Sequence, residues 1–286
     1  MRDFQFHAPA TLDEALALLA EHGEAARPMA GGTALVVLMK QSLVEAEQIV
    51  SLARIPGLDT IRVEGGELHI GGLARHYDVE TSPVVRGFAP FLCEVYRRVA
   101  TVRVRNMATV GGGLAHADPA QDPPPGFIAL DARVRLVSRG GQRELPVAEL
   151  SRDYYETVIR PDEILTEVIV PRPASGAAFA YLKFLPRTED DYATVAVAAR
   201  AERQNGVCRN LRVALGAAGP TPIRATAVEQ ALEGRAVSTA SVRAAAETVA
   251  DAVDPLDDFR GSSGYKREMA VVFTRRALER VLGLTA

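Results

Sequence analysis

The 286-residue sequence has no tryptophan and two cysteines, Cys93 and Cys208. Two thiols fall short of the four cysteine ligands an iron–sulfur cluster takes, so no such cluster is expected on this chain. They suit the free buried thiols of an intracellular protein. Nothing has zinc-site spacing, and no metal site is expected: the nearest approach is His116-Ala117-Asp118, and one pair is a weak signal. No apolar run reaches the ~20 residues of a membrane span. Met1 to Ala10 lacks the apolar core of a signal peptide, so a cytoplasmic location is expected. Excess charge is lacking too. A net charge of −3 gives no electrostatic footprint for nucleic acid. The locally basic Arg97-Arg98, Arg103 and Arg105 read as a solvated face or a protein contact. Two nucleotide fingerprints are missing, the G-x-G-x-x-G of a dinucleotide fold and the G-x-x-x-x-G-K-[ST] of a P-loop. No catalytic triad or carboxylate pair stands out.

What is present is an ordinary folded composition, 48% apolar and 24% charged. At roughly 150 residues per domain, the length suggests two domains. Phe4 to His7 reads as a strand. A Thr11/Glu14 capping box opens a helix that carries Leu12, Ala15, Leu16 and Leu19 on one face and closes at Gly23. Ala34 to Lys40 suits a short helix. Gln48 to Leu52 and Thr60 to Val63 suit strands, the second turning through Gly65-Gly66 into Glu67 to Ile70. Helix is expected after Ser82-Pro83 and over Ala89 to Val99. Thr101 to Met107 is polar and poorly periodic. The prolines of Asp122-Pro123-Pro124-Pro125 argue against regular helix or a central strand there. Arg133 to Ser138 alternates and pairs through Gly140-Gly141.

Pro171-Arg172-Pro173-Ala174-Ser175-Gly176 is the strongest linker signal, and the domain boundary is expected there. Beyond it Ala178 to Leu185, Tyr192 to Arg203 and Val207 to Gly216 read as strands, with Asn205-Gly206 as a hairpin turn. Helices are expected over Pro222 to Glu233, Ser241 to Val253 and Tyr265 to Leu282. The last has Met269, Val272, Phe273, Ala277, Leu278 and Val281 on one face. Strands followed by helices make this half α+β.

Two glycine clusters remain: Pro28-Met29-Ala30-Gly31-Gly32-Thr33-Ala34-Leu35 and Thr109-Val110-Gly111-Gly112-Gly113. Each has a threonine beside it. Glycine lets backbone approach a ligand closely, and consecutive N–H groups in such turns form an anion nest. Two such turns from distant segments are suited to gripping a pyrophosphate. On pattern alone they also read as two tight turns with no ligand.

The pairing of Ala-Gly-Gly-Thr-Ala-Leu with Val104-Arg-Asn-Met-Ala-Thr-Val-Gly-Gly-Gly-Leu-Ala-His-Ala-Asp-Pro-Ala-Gln-Asp122 resembles the FAD-binding medium subunit of the molybdenum hydroxylases, the xanthine dehydrogenase and aerobic carbon monoxide dehydrogenase family. The resemblance extends through Glu163-Ile164-Leu165, the stretch from Phe179 to Arg187, Asp190-Asp191-Tyr192-Ala-Thr-Val and Ser263-Gly-Tyr265-Lys266. It implies an α+β fold of the p-cresol methylhydroxylase/vanillyl-alcohol oxidase type over residues 1–173, in two subdomains of about 1–55 and 56–173, with a C-terminal flavoprotein domain over 177–286. It implies FAD held without a Rossmann motif, the two glycine clusters serving as pyrophosphate loops. Asp122 matches an acidic position near the adenosine-side ribose, and Leu165 a backbone contact to the flavin. Lys183 matches a basic residue at the flavin edge, and Tyr192 an aromatic against the isoalloxazine face. A cation near the ring favours its reduced anion, and a stacked aromatic excludes water. Gly113 and Ala34 depart from the family pattern, in which asparagine or serine, and serine or another polar residue, are common. The implied partners are a molybdenum large subunit and a small subunit with two [2Fe–2S] clusters, assembled as a dimer of heterotrimers, with electrons leaving to NAD, a quinone or another acceptor. Rival readings are a stand-alone flavoenzyme of the same fold and a non-redox nucleotide-binding assembly module.

Overall fold

The computed structural model describes residues 3–185, 187–188 and 190–284. The described residues build three large sheets in succession and one two-stranded sheet within the second unit. The first unit comprises β1 (Gln5–His7), α1 (Leu12–His22), β2 (Ala26–Met29), α2 (Leu35–Lys40) and β3 (Gln48–Ser51), with β3 central in a parallel sheet of order β1-β3-β2. The Thr11 hydroxyl caps α1 by accepting from Glu14 N–H, and the Glu14 carboxylate reaches back to Ala10 N–H. Ala15, Leu16 and Leu19 are buried, each Leu contributing roughly 1.5–3 kcal/mol.

The second unit holds β4 (Ile61–Glu64), β5 (Glu67–Gly71), α3 (His76–Thr81), α4 (Pro83–Phe88), α5 (Pro90–Arg97), α6 (Val102–Arg105), α7 (Val110–His116), α8 (Pro123–Ala129), β6 (Arg133–Ser138), β7 (Gly141–Pro146), β8 (Ser151–Asp153), β9 (Glu156–Thr157) and β10 (Ile164–Val170). Its sheet is antiparallel, of order β4-β5-β10-β6-β7. The central strand β10 is buried at all seven positions. It carries Glu167 inside, where the carboxylate accepts from Arg135 at 2.6 Å, Arg62 at 2.7 Å and His69 Nδ1–H at 3.0 Å. Burial pushes that carboxyl up, but the bonds from His69 and Arg62 outweigh it and hold it below its ordinary value.

The three prolines after Asp122 do not exclude a helix, as their composition suggested; they form the first turn of α8. First-turn N–H groups have no partner inside a helix, so three prolines there remove none of its hydrogen bonds. The helix is buried along its length, and a Cβ on Gly126 would stand 3.2 Å from Val95, so glycine lets α8 close on α5. The polar stretch before the second glycine cluster is likewise ordered, with Thr101 capping α6.

The third unit is β11 (Ala178–Phe184), β12 (Val195–Gln204), β13 (Val207–Gly216), β14 (Ile223–Arg224), α9 (Thr226–Leu232), α10 (Thr239–Glu247) and α11 (Ser263–Val281). The four strands run antiparallel in chain order, and Asn205 and Gly206 both take positive φ at the hairpin. Alternate residues of β12 enter two cores: Ala196 and Ala198 face the second unit, while Val195, Val197 and Ala199 face the C-terminal helices. Three expectations shift here. Tyr192 precedes β12 rather than lying in it, Ile223–Arg224 is a short strand, and α10 ends at Glu247 in a 3-10 turn. On α11 the buried stripe is Lys266, Ala270, Thr274, Ala277, Leu278 and Val281, while Met269, Val272 and Phe273 are half-buried. Small residues face the sheet because α11 crosses it closely, and Phe273 stacks on Phe184 of β11 at 4.9 Å instead. The turn after α8 is tied to this sheet by Asp131, which takes Arg200 and Arg212 at 2.7 Å each.

Candidate cofactor site

The two glycine clusters meet. A Cβ on Gly31 would lie 1.9 Å from the carbonyl oxygen of Met107, and one on Gly112 would lie 3.4 Å from Ala30 Cβ. Together they wall a cavity of about 760 Å³ that runs on past Leu52, Gly72, His76, Leu165 and Lys183 to Tyr155 and Tyr192. That volume suits a cofactor-sized ligand. Every residue singled out from the sequence lines it (Pro28, Met29, Ala30, Gly31, Gly32, Thr33, Ala34, Leu35, Thr109, Gly111, Gly112, Gly113, Asp122, Leu165, Lys183 and Tyr192) apart from Val110. Val110 is 1% exposed and belongs to the hydrophobic core, because the first turn of α7 directs it inward.

The clusters differ in how their N–H groups are used. In the second, Val110 N–H donates to Ala74 O, Gly111 N–H to Gly72 O, Gly112 N–H to the Thr109 hydroxyl and Gly113 N–H to Thr109 O. Thr109 is the N-cap of α7, so this cluster is a capped helix start and not an open loop. In the first, the N–H groups of Gly31, Gly32, Thr33 and Ala34 make no hydrogen bond among the described residues, and Gly32 turns the chain at φ +70°. Four consecutive unpaired donors beside a cavity are an anion nest. The groups present therefore fit a pyrophosphate-bearing cofactor, with the donors coming from the first cluster. Glycine in the second serves close packing: a Cβ on Gly111 would sit 2.8 Å from the Gly72 carbonyl oxygen.

Asp122 and Lys183 do not stand at separate ends of the cavity. Lys183 Nζ donates to Asp122 Oδ2 at 3.0 Å and to Arg98 O at 2.8 Å, and the Tyr181 hydroxyl donates to Asp122 Oδ1. A ribose contact for one and a flavin-edge contact for the other are thus drawn to one place. Burial raises the Asp122 carboxyl above its ordinary value, against the pull of Lys183 and Tyr181. Tyr192 is 52% exposed at the mouth. Partial burial and the nearby Asp118 carboxylate push its hydroxyl well up, so it is a neutral phenol at any ordinary pH.

Four further lining residues were given no role from the sequence. Gly72 follows Gly71 at the end of β5, and a Cβ there would lie 2.3 Å from Leu165 O. Gln121 donates to Gly113 O at 2.9 Å and fills the space beside it. His76 is 4% exposed, and its Nε2–H donates to Thr109 O at 3.1 Å behind the capped turn. Its Nδ1 has no partner among the described residues. Burial, with Arg105 nearby, lowers His76 to about 4 despite the bond to Thr109, so it is neutral near pH 7. The fourth is Tyr155, near Tyr192. Among the described residues no group of three His, Cys, Asp or Glu is placed to hold a metal ion, and no helix is long and apolar enough to cross a membrane.

Residues 2–173 match the family model described as the FAD binding domain in molybdopterin dehydrogenase, and residues 180–281 match the CO dehydrogenase flavoprotein C-terminal domain. The chain belongs to this family. It is 34% identical to the carbon monoxide dehydrogenase medium chain of Hydrogenophaga pseudoflava, over 96% of each chain. It is 32% identical to the alpha subunit of the 6-hydroxypseudooxynicotine dehydrogenase complex of Paenarthrobacter nicotinovorans, over 98% of this chain and 94% of that one. Among solved structures, carbon monoxide dehydrogenase from Hydrogenophaga pseudoflava, lacking the Mo-pyranopterin moiety, superposes with a TM-score of 0.96 at 36% identity, covering 100% and 99% of the two chains. Quinoline 2-oxidoreductase from Pseudomonas putida 86 gives 0.92 at 30%, covering 99% and 98%. As a medium-chain member the protein is an FAD-binding oxidoreductase subunit, and the α+β arrangement of an FAD domain followed by a flavoprotein domain is the family's own.

Proposed function

We propose that this chain holds FAD in the glycine-walled cavity and relays electrons from the [2Fe–2S] clusters of a small partner subunit to an external acceptor. A molybdenum-bearing large subunit oxidises the substrate in this reading, and the assembly is a dimer of such heterotrimers in the cytoplasm. Residues 1–173 act as the FAD-binding domain, in subdomains of about 1–55 and 56–173, and 177–286 as the C-terminal domain.

The observation that carries the reading is the row of unpaired N–H groups at residues 31–34, held against Met107 and Ala108. These donors take the pyrophosphate oxygens. Thr109, whose hydroxyl already accepts from Gly112 N–H, retains its own proton to donate into the same space. Gly112 and Gly113 keep the opposite wall low enough for close approach. Bound FAD supplies a ring that takes up two electrons and returns them. The Lys183 Nζ is buried at the cavity, fixed by Asp122 and Arg98 O, where it would favour negative charge on a reduced ring. Tyr192 covers the open side against water.

The test is mass spectrometry and visible absorbance of the native complex. It should contain two partner chains, and FAD should stay with this one. A purified complex with no flavin absorbance that also refuses added FAD defeats the reading.

A further inference from the structure

Asp122 opens α8 yet cannot cap it. An aspartate ahead of a helix ordinarily accepts from the second or third N–H of the first turn, but residues 123–125 are prolines and have none to give. The carboxylate makes no capping bond and is engaged by β11 instead. There Tyr181 and Lys183 are two residues apart and share one face of the strand. Their partners across the ladder are Ala198 and Ala196, short side chains with no polar atom to offer. One oxygen of Asp122 accepts from the Tyr181 hydroxyl and the other from Lys183 Nζ, and all three side chains are buried.

The electron relay leaves the Tyr181 hydroxyl without a task. Asp122 and Lys183 line the cavity, whereas Tyr181 stands outside that lining and reaches it through Asp122. The charged and titratable groups facing Asp122 are Lys183 and Tyr181 on β11, Arg98 at the end of α5 and Tyr192 ahead of β12. Burial pushes the carboxyl toward its protonated form, and Lys183, the Tyr181 hydroxyl and Arg98 pull it back. Burial and the neighbouring Asp122 push the Tyr181 hydroxyl well up, so it stays a donor. A charged carboxylate opposes the field of Lys183 at the cavity; one that takes a proton leaves that field unopposed.

We propose that Tyr181 is a positioning residue for the flavin: by holding one oxygen of Asp122 it keeps that carboxylate as the counter-ion of Lys183, and so limits how strongly the site favours the reduced ring. The proposal rests on FAD occupying the cavity with the edge of its ring at Lys183. Only the balance between the oxidised and two-electron-reduced cofactor moves; its chemistry is unchanged.

The test measures the FAD midpoint potential in the native complex and its variants by dye-equilibrated titration of the flavin band, at about pH 9 and about pH 6. Tyr181→Phe keeps the buried ring and removes the hydroxyl alone. Its potential should match the native value at the higher pH and exceed it at the lower. The excess should be roughly tenfold in the reduced-to-oxidised ratio, about 30 mV for a two-electron couple. The rise belongs to the lower pH because Asp122 takes its proton there and ceases to offset Lys183. Asp122→Asn, neutral throughout, should exceed the native value at both, and Tyr181→Phe should add nothing in that background. A tyrosine kept for packing alone would leave both potentials native. The proposal is overturned if Tyr181→Phe shows no such rise, or if its shift survives in the Asp122→Asn background. Should Asp122→Asn not retain FAD, the comparison of Tyr181→Phe at the two pH values decides alone. A complex without flavin that refuses added FAD defeats the relay reading; a flavin-loaded Tyr181→Phe complex with native potentials overturns the role of Tyr181 alone.

Discussion

Residues 31–34 and 110–113 look alike in sequence, glycines with a threonine beside them, and do different work. Among the described residues the first leaves four N–H groups without partners beside the cavity, while the second pairs all four inside the fold. The cause is local. The second cluster begins a helix capped by Thr109 and docked on Gly72, whereas the first is an irregular turn between β2 and α2. Donors available to an anion come from backbone without regular structure, and close approach comes from backbone that has it. A glycine-rich motif therefore divides into a gripping half and a packing half, and substitutions should separate the two.

The largest effect is expected where the halves touch. Gly31→Val would drive a Cβ to within 1.9 Å of Met107 O, a backbone atom that cannot swing aside. It should cost about 3 kcal/mol or more, or yield no folded protein, and any soluble fraction should lack FAD. Denaturant melts and flavin-to-protein ratios check both.

The packing half also has a titratable support that the gripping half lacks. His76 holds Thr109 O from behind with a pKa of about 4, against 6.5 in an unfolded chain. The unfolded state binds the proton first on acidification. The associated stability is therefore complete above about pH 6.5 and is lost as the pH falls through about 4. Roughly 3 kcal/mol is at stake over that window. Melts from pH 7 to pH 4 should slope downward in the native protein and flatten in His76→Leu. An unchanged slope would remove His76 from the account.

Gly112→Val should cost less than either. Its Cβ would stand 2.7 Å from the Thr109 hydroxyl, so it displaces the cap at about 1 kcal/mol and narrows the cavity wall. The fold should survive with a slightly lower melting point, while FAD content drops below about a tenth of the native ratio. Full FAD content would show that the second cluster is structural only.

Much of this was legible in the sequence, and the exceptions have physical reasons. Alternation in residues 133–138, the Asn205-Gly206 turn and the capping residue Thr11 are local signals, and each stands where the pattern placed it. Helix α8 was hidden because proline's prohibition applies to helix interiors, and these prolines occupy a first turn. Val110 sits inside a motif but points into the core, which only the helix phase of α7 decides. The Asp122–Lys183 pair joins residues 61 apart, and the contact of Gly31 with Met107 is likewise non-local. Which N–H groups remain free is a property of the finished fold, since it depends on every acceptor that other segments bring.

The smallest effect tests the comparison most directly. Ala34 and Gly113 are the two departures from the pattern that the family resemblance implies, and they look like equivalent losses. The structure makes them unequal. Ala34 lines the cavity next to donors unpaired among the described residues, so Ala34→Ser adds a hydroxyl where the proposed cofactor's phosphates would lie. A net gain of about 0.5–1.5 kcal/mol corresponds to roughly two- to tenfold tighter FAD binding, with the melting point of the apoprotein unchanged. Gly113 is already backed by Gln121 and His76, and a Cβ there would lie 3.1 Å from Gln121 Oε1 and 3.4 Å from His76 Nε2. Gly113→Ser therefore has to displace the amide that donates to Gly113 O, and FAD binding should not tighten. Isothermal titration of FAD into the two apoproteins decides the matter. If both serines tighten binding equally, the two clusters grip alike and the division drawn between them is wrong.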